Sequence, residues 1–195
     1  MPQQPSLLLL LRFMDCGRTA LSWDEQQLQT HLDAMATAIN DQFAGKAPLL
    51  VGIESGGAWV AQALNARLPT ALPLGSLNPA FYRDDFDTRG LKPKVTPSKL
   101  PFDVDGQHIL LVDDVLMTGR TIRAAMNELF DFGRPASISL VVLFDIGRRE
   151  LPIGADICGE TLALPPHQRI ELRGPSPLIA EIRNLVVEDD TETRS

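Results

Sequence analysis

The segment that most limits the fold is "ILLVDD" (109–114): four apolar residues without polar alternation, running straight into Asp113 and Asp114. A strand that is apolar on both faces has to be covered on both, as in parallel sheets layered with helices. A second such run, "APLLVGI" (47–53), also ends in a turn signal. Between and around these runs the periodicity changes to that of helices. "SWDEQQLQTHLDAMATAINDQF" places Leu28, Leu32, Met35 and Ile39 on one face, and Ser22 with Glu25 reads as its capping box. "GAWVAQALNARL" (57–68) and "GRTIRAAMNELFDFG" (119–133) read as two more helices, with further strands at 70–77, 108–112 and 136–146. Strand–helix alternation of this kind predicts an α/β fold with a mostly parallel twisted sheet flanked by helices.

The 195 residues suit one domain with a small appendage. The expected division is a loose arm at 1–20, the domain at 21–175 and a C-terminal segment at 176–195. The stretch 78–107 is long, polar and without periodicity, which in a compact domain marks a functional or mobile loop. The leucine run at 7–11 follows no basic residue and precedes no small-residue cleavage site, so it does not read as a signal peptide. It is also far too short to span a bilayer, and no membrane association is expected. Cys16 and Cys158 show neither ligand spacing nor a disulfide framework, which fits a cytoplasmic protein. His31, His108 and His167 are scattered and suggest no zinc site. The net charge of −7 argues against a chain that wraps nucleic acid.

In open parallel sheets, ligands bind at the carboxyl ends of the strands. Two unusual stretches fall at such ends: "GIESGG" and "VDDVLMTGRT". In the second, Gly119 relieves the backbone just where a helix begins. The free amides of 117–121 then converge with the helix dipole behind them, which makes an anion site suited to phosphate. Thr118 and Thr121 add hydroxyl donors. Asp113 and Asp114 repel phosphate and need a different target on the same ligand. A ribose diol, with two hydroxyl donors, fits them. The stretch therefore reads as a holder for ribose 5-phosphate.

This pattern of apolar residues, two acids, apolar residues and T-G-x-T resembles the phosphoribosyl pyrophosphate (PRPP) motif of type I phosphoribosyltransferases. "YRDD" (82–85), the stretch 119–145 and "RRELPIGAD" (148–156) resemble, more narrowly, the PyrR family of pyrimidine-operon regulators with uracil phosphoribosyltransferase activity. The resemblance implies a type I phosphoribosyltransferase-like fold with a small base-binding hood and a flexible loop. It implies PRPP and uracil as substrates, UMP and pyrophosphate as products, Mg2+ as the metal, and a homodimer or homotetramer. Asp113, Asp114 and Arg83 take the catalytic positions, and the two aspartates meet the metal indirectly, through ligand or water. Val115, Leu116, Met117, Thr118, Gly119, Arg120 and Thr121 bind the phosphate. Ser55, Gly56 and Gly57 cradle pyrophosphate in a loop that in many relatives contains a cis peptide. Lys92 and Lys94 belong to the flexible loop, and Asp145, Ile146 and Arg149 edge the base pocket.

Some positions depart from the family pattern. Gly56 stands where members often carry arginine. Ile146 and Arg148 replace the arginine and histidine of D-R-G-H-R-E-L-P, and Gly154 stands where another arginine is expected. Some members bind a messenger-RNA leader, partly through the helix at 24–43. Here that helix has no lysine or arginine and carries Asp24, Glu25, Asp33 and Asp41. The expected protein is thus a relative with weakened or absent RNA function. The alternatives are a nucleotide-sensing regulator with little catalysis and a transferase for another base.

Overall fold

The computed structural model describes residues 22–79 and 97–184. The leucine run at 7–11, the "YRDD" stretch, Arg83, Lys92 and Lys94 lie outside these residues. Five strands form one parallel sheet: β2 (Leu49–Ile53), β3 (Leu74–Leu77), β4 (His108–Leu116), β5 (Ser137–Asp145) and β6 (Ile157–Thr161). Their order across the sheet is β3-β2-β4-β5-β6. Alternate residues feed two cores. Leu50, Leu110, Val112, Val141 and Leu143 pack against helices α1 (Glu25–Gln42) and α2 (Gly56–Asn65). Val51, Ile53, Ile109, Leu111 and Val142 pack against α3 (Arg120–Phe132). Each fully buried side chain of this kind contributes about 1.5–3 kcal/mol, which is why the unalternated apolar runs demand both helical layers.

The chain leaves β2 and β4, which are neighbours, toward opposite faces of the sheet. Strand order reverses between them, so a crevice opens at their carboxyl ends. A second, antiparallel sheet stands near it, with order β1-β8-β7: β1 (Ser22–Trp23), β7 (Gln168–Arg173) and β8 (Ile179–Asn184). This is the hood.

Several boundaries differ from the sequence expectation. Helix α1 is capped by Asp24 and Gln27, not by Ser22 and Glu25. The Asp24 carboxylate accepts the Gln27 amide at 2.9 Å, and the Gln27 side chain accepts the Asp24 amide at 3.0 Å. Ser22 and Trp23 are drawn into the hood instead. The Trp23 ring packs on Phe144, and its indole N–H donates to Glu160 at 2.7 Å. Strand β4 does not stop at Val112 but runs through both aspartates to Leu116, because β5 pairs with it as far as Asp145. The proline-punctuated remainder contains three strands, β6, β7 and β8. Of these, β8 lies in the segment set apart at 176–195, yet it pairs with both β1 and β7 and is the central strand of the hood. Cys158 on β6 is partly buried as a free thiol, and desolvation pushes its pKa up.

Candidate active site

A cavity of about 400 Å³ lies at the carboxyl ends of the strands, between the parallel sheet and the hood. Ser55, Gly56, Asp113, Asp114, Val115, Leu116, Met117, Thr118, Gly119 and Thr121 all line it. Two distant loops are therefore brought to one place.

The loop after β2 contains a cis peptide between Glu54 and Ser55 and leads directly into α2. Its glycines are required by close approach. A Cβ on Gly57 would lie 2.4 Å from the Val112 carbonyl oxygen and 2.8 Å from Asp113 Cα. A Cβ on Gly56 would lie 2.2 Å from Asp114 Oδ2, inside the carboxylate. The two positions differ in kind: the first meets fixed backbone, the second a side chain that can move.

Asp113 is 4% exposed, and its Oδ1 accepts the Asp114 amide at 3.0 Å. Both acids remain on β4, so the sheet holds their backbone rigidly.

The turn after β4 owes its orientation to a segment that follows β5. Arg149 Nη1 donates to the carbonyls of Leu116 (3.3 Å) and Met117 (3.0 Å). The Thr118 carbonyl accepts the amides of Glu150 and Leu151, both at 3.1 Å. Three successive carbonyls thus face the 149–151 segment. In a trans peptide the next N–H points the opposite way, so the amides of Met117, Thr118 and Gly119 are turned from that segment together. This is the geometry of an anion nest. Gly119 takes φ +90° at the N-cap of α3, a left-handed conformation that favours glycine. The dipole of α3 adds to the same positive end. The Thr118 hydroxyl accepts the Arg120 amide at 3.2 Å, and Arg120 Nε pairs with Glu150 at 2.7 Å.

Of the three residues expected to edge the base pocket, Ile146 lines the cavity. Asp145 and Arg149 are not among its lining residues. They bond to each other, and Arg149 also donates to the Ile153 carbonyl at 2.6 Å, behind the turn at 117–119. Opposite the turn, the cavity is closed by Trp59 of α2 and by Arg169, Ile170, Glu171 and Leu172 of β7. These residues were missed in the sequence. The alternation in "QRIELR" marks a half-buried strand, but nothing local says that its edge reaches a site.

That edge can be oriented. The Gln168 carbonyl accepts Arg148 Nη2 at 2.7 Å and its amide donates to Pro165 at 3.0 Å, so the backbone of Gln168 faces away from β8. Antiparallel pairing alternates, so the amides and carbonyls of Ile170 and Leu172 face the same way. Among the described residues no strand lies on that side of β7.

A turn of convergent backbone amides and paired carboxylates at the switch point of a parallel sheet, under a small antiparallel hood, are the marks of a type I phosphoribosyltransferase. Residues 24–161 match the phosphoribosyl transferase domain family. The chain is 52% identical over 159 residues to a "Bifunctional protein PyrR" of Pseudomonas fluorescens Pf-5, covering 80% of this chain and 95% of that one. It is 53% identical over 154 residues to the protein of that name from Pseudomonas syringae pv. tomato, covering 77% and 91%. In solved structures the same fold occurs in a hypoxanthine phosphoribosyltransferase of Staphylococcus aureus. There the TM-score is 0.63 at 20% identity, with 85% of this chain and 93% of that one covered. A hypoxanthine-guanine phosphoribosyltransferase of Bacillus anthracis matches with TM-score 0.62 at 18% identity, covering 85% and 98%. The chain belongs to the PyrR family of phosphoribosyltransferases.

Proposed function

We propose that this site transfers the phosphoribosyl group of PRPP to uracil, forming UMP and releasing pyrophosphate. The observation that carries the reading is that one cavity has the phosphate nest and the two aspartates at one end and the open edge of β7 at the other. The amides of Met117, Thr118 and Gly119, with Val115, Leu116, Arg120 and Thr121 framing the turn, hold the 5-phosphate. Asp113 and Asp114 accept hydrogen bonds from the ribose diol. Ser55 and Gly56, which line the cavity, receive the diphosphate, and Gly57 lets their loop sit close against β4. A uracil ring nitrogen forms the new bond to C1 of the ribose as the C1–O bond to pyrophosphate breaks, and the nitrogen's proton goes to solvent. The carboxylates lie beside the ring where positive charge develops, and the fixed backbone supplies orientation.

The base meets the edge of β7. Uracil presents an acceptor–donor–acceptor series, O2, N3–H and O4. The amide and carbonyl of Ile170 followed by the amide of Leu172 are its complement in type. Cytosine reverses two of the three groups and should be rejected. Trp59 and Ile146 supply apolar walls for the ring.

The acidic oxygens of Asp113 and Asp114 suit Mg2+. No group of three or more His, Cys, Asp or Glu side chains among the described residues could hold a metal, so the remaining ligands are phosphate, ribose and water oxygens. When bound with PRPP, Mg2+ neutralises charge on the leaving pyrophosphate. Arg83, Lys92 and Lys94, outside the described residues, are assigned to the same leaving group through the family resemblance.

Arg148 and Arg149 spend their guanidinium donors mainly on backbone carbonyls. This supports the catalytic reading over contact with leader RNA through that pair. The reading also takes the protein as a cytoplasmic homodimer or homotetramer. No helix of the described residues is long and apolar enough to cross a membrane. The test is incubation with PRPP, Mg2+ and labelled uracil, cytosine or hypoxanthine. UMP from uracil alone is expected. PRPP binding without UMP formation points to a nucleotide-sensing regulator, and product from another base reassigns the substrate.

A further inference from the structure

Arg148 joins the two ends of the cavity. Its Nη2 donates to the Gln168 carbonyl at 2.7 Å and lies 3.1 Å from the Met117 sulfur. Its Nη1 donates to the Pro166 carbonyl at 2.9 Å. One planar group thus touches the phosphate turn and the rung of β7 next to Ile170. These partners are all neutral, and Arg148 Nε is buried without a hydrogen bond among the described residues. Stability alone does not explain such a residue. A buried N–H without an acceptor is costly, and a well-packed apolar side chain is often at least as stabilising as a buried charge.

We propose that Arg148 is a positioning residue that couples the phosphate turn to the hood edge, so that filling one end of the cavity tightens the other. The proposal rests on the uracil reading above. A ligand phosphate in the nest fixes residues 117–119. Met117 then fixes the guanidinium, and the guanidinium fixes Gln168 and the adjacent rung of β7. The guanidinium's rigid fork transmits a displacement that a single ammonium on a flexible stem does not. By linkage the effect is reciprocal: uracil tightens the binding of the sugar phosphate by the same factor.

Calorimetric titration of uracil, with and without saturating ribose 5-phosphate, tests this on the wild-type protein, Arg148→Met and Arg148→Lys. Ribose 5-phosphate is expected to tighten uracil binding about tenfold in the wild type and less than about twofold in either variant. Ribose 5-phosphate alone should bind both variants within about threefold of wild type, because the nest itself is oriented by Arg149 and the 150–151 amides. The lysine variant keeps the charge and serves should the methionine variant fail to fold, with thermal midpoints recorded for both. Wild-type coupling retained in a folded variant overturns the proposal. So does equal loss of both ligands in a folded variant, which marks a merely structural role. So does wild-type protein that binds each ligand without coupling. Wild-type protein that binds ribose 5-phosphate but never uracil defeats the uracil reading, and this inference with it.

Discussion

The parallel sheet and the hood build opposite ends of one cavity by different means. At the sheet end the cavity walls come from two short stretches, Ser55 with Gly56 and residues 113–119 with Thr121, while Gly57 and Arg120 are not among its lining residues. Each stretch joins the carboxyl end of a strand to the first turn of a helix, so chain direction alone delivers amides, hydroxyls and carboxylates to the switch point. At the hood end the walls come from Trp59, Ile146 and residues 169–172, three segments far apart in sequence, the last of them an edge strand. Residue types therefore reveal the first end and conceal the second. The two ends should also fail separately when mutated: sheet-end changes act on PRPP, hood-end changes on the base.

The sharpest test of that separation is Asp113→Asn with Asp114→Asn. Each change removes charge-assisted hydrogen bonds worth about 1.5–3 kcal/mol, so PRPP affinity should fall by about two to four orders of magnitude while the protein stays folded. Equilibrium binding with a thermal melt alongside measures both. Unchanged affinity would mean that the ribose lies elsewhere.

A glycine pair comes next. Gly57→Ala drives a methyl group into the Val112 carbonyl and should destabilise the fold by about 1–3 kcal/mol, lowering the melting midpoint by about 2–4 °C for each. Gly56→Ala meets first the Asp114 side chain, whose carboxylate can swing away. It should leave the midpoint nearly unchanged but weaken PRPP about tenfold, or about 1.4 kcal/mol. If both changes act on stability alone, Asp114 has no part in holding the ribose.

Trp59→Leu probes the other end. Loss of the aromatic wall, worth about 0.5–1.5 kcal/mol, should raise the KM for uracil by about two- to tenfold. The KM for PRPP should hold steady. A rise confined to PRPP would remove Trp59 from the base side and blur the division. The smallest effect is expected from Thr118→Ala, about 1 kcal/mol or fivefold in PRPP affinity, because the proposed reading puts most of the phosphate binding on the three aligned amides. A much larger loss would shift that weight from backbone to hydroxyl.

Much of the fold could be read in the sequence for a local reason. The unalternated runs at 49–53 and 109–112 have to be buried on both faces, and helix periodicity supplies the covering layers. The ends of elements were less legible because neighbours decide them. Pairing with β5 carries β4 through Asp113 and Asp114, and pairing with β8 holds Ser22 and Trp23 extended until Asp24 can cap the helix. The hood was read only through family resemblance. Its strands are short, and β1 lies more than 150 residues from its partner β8.

By itself, the sequence determined the class of sheet, the glycine turn that opens α3 and the paired carboxylates before it, since each depends on residues adjacent in the chain. Only the tertiary structure decided what Arg148 and Arg149 do. The family resemblance placed Arg149 at the edge of the base pocket and marked Arg148 only as a departure from the family's histidine. Folded, Arg149 draws the carbonyls of Leu116 and Met117 to one side, beside the Thr118 carbonyl held by the 150–151 amides, and Arg148 ties that turn to the edge of β7. The reason is physical: a guanidinium takes whatever acceptors lie within reach, and which carbonyls come within reach is settled when distant strands pair.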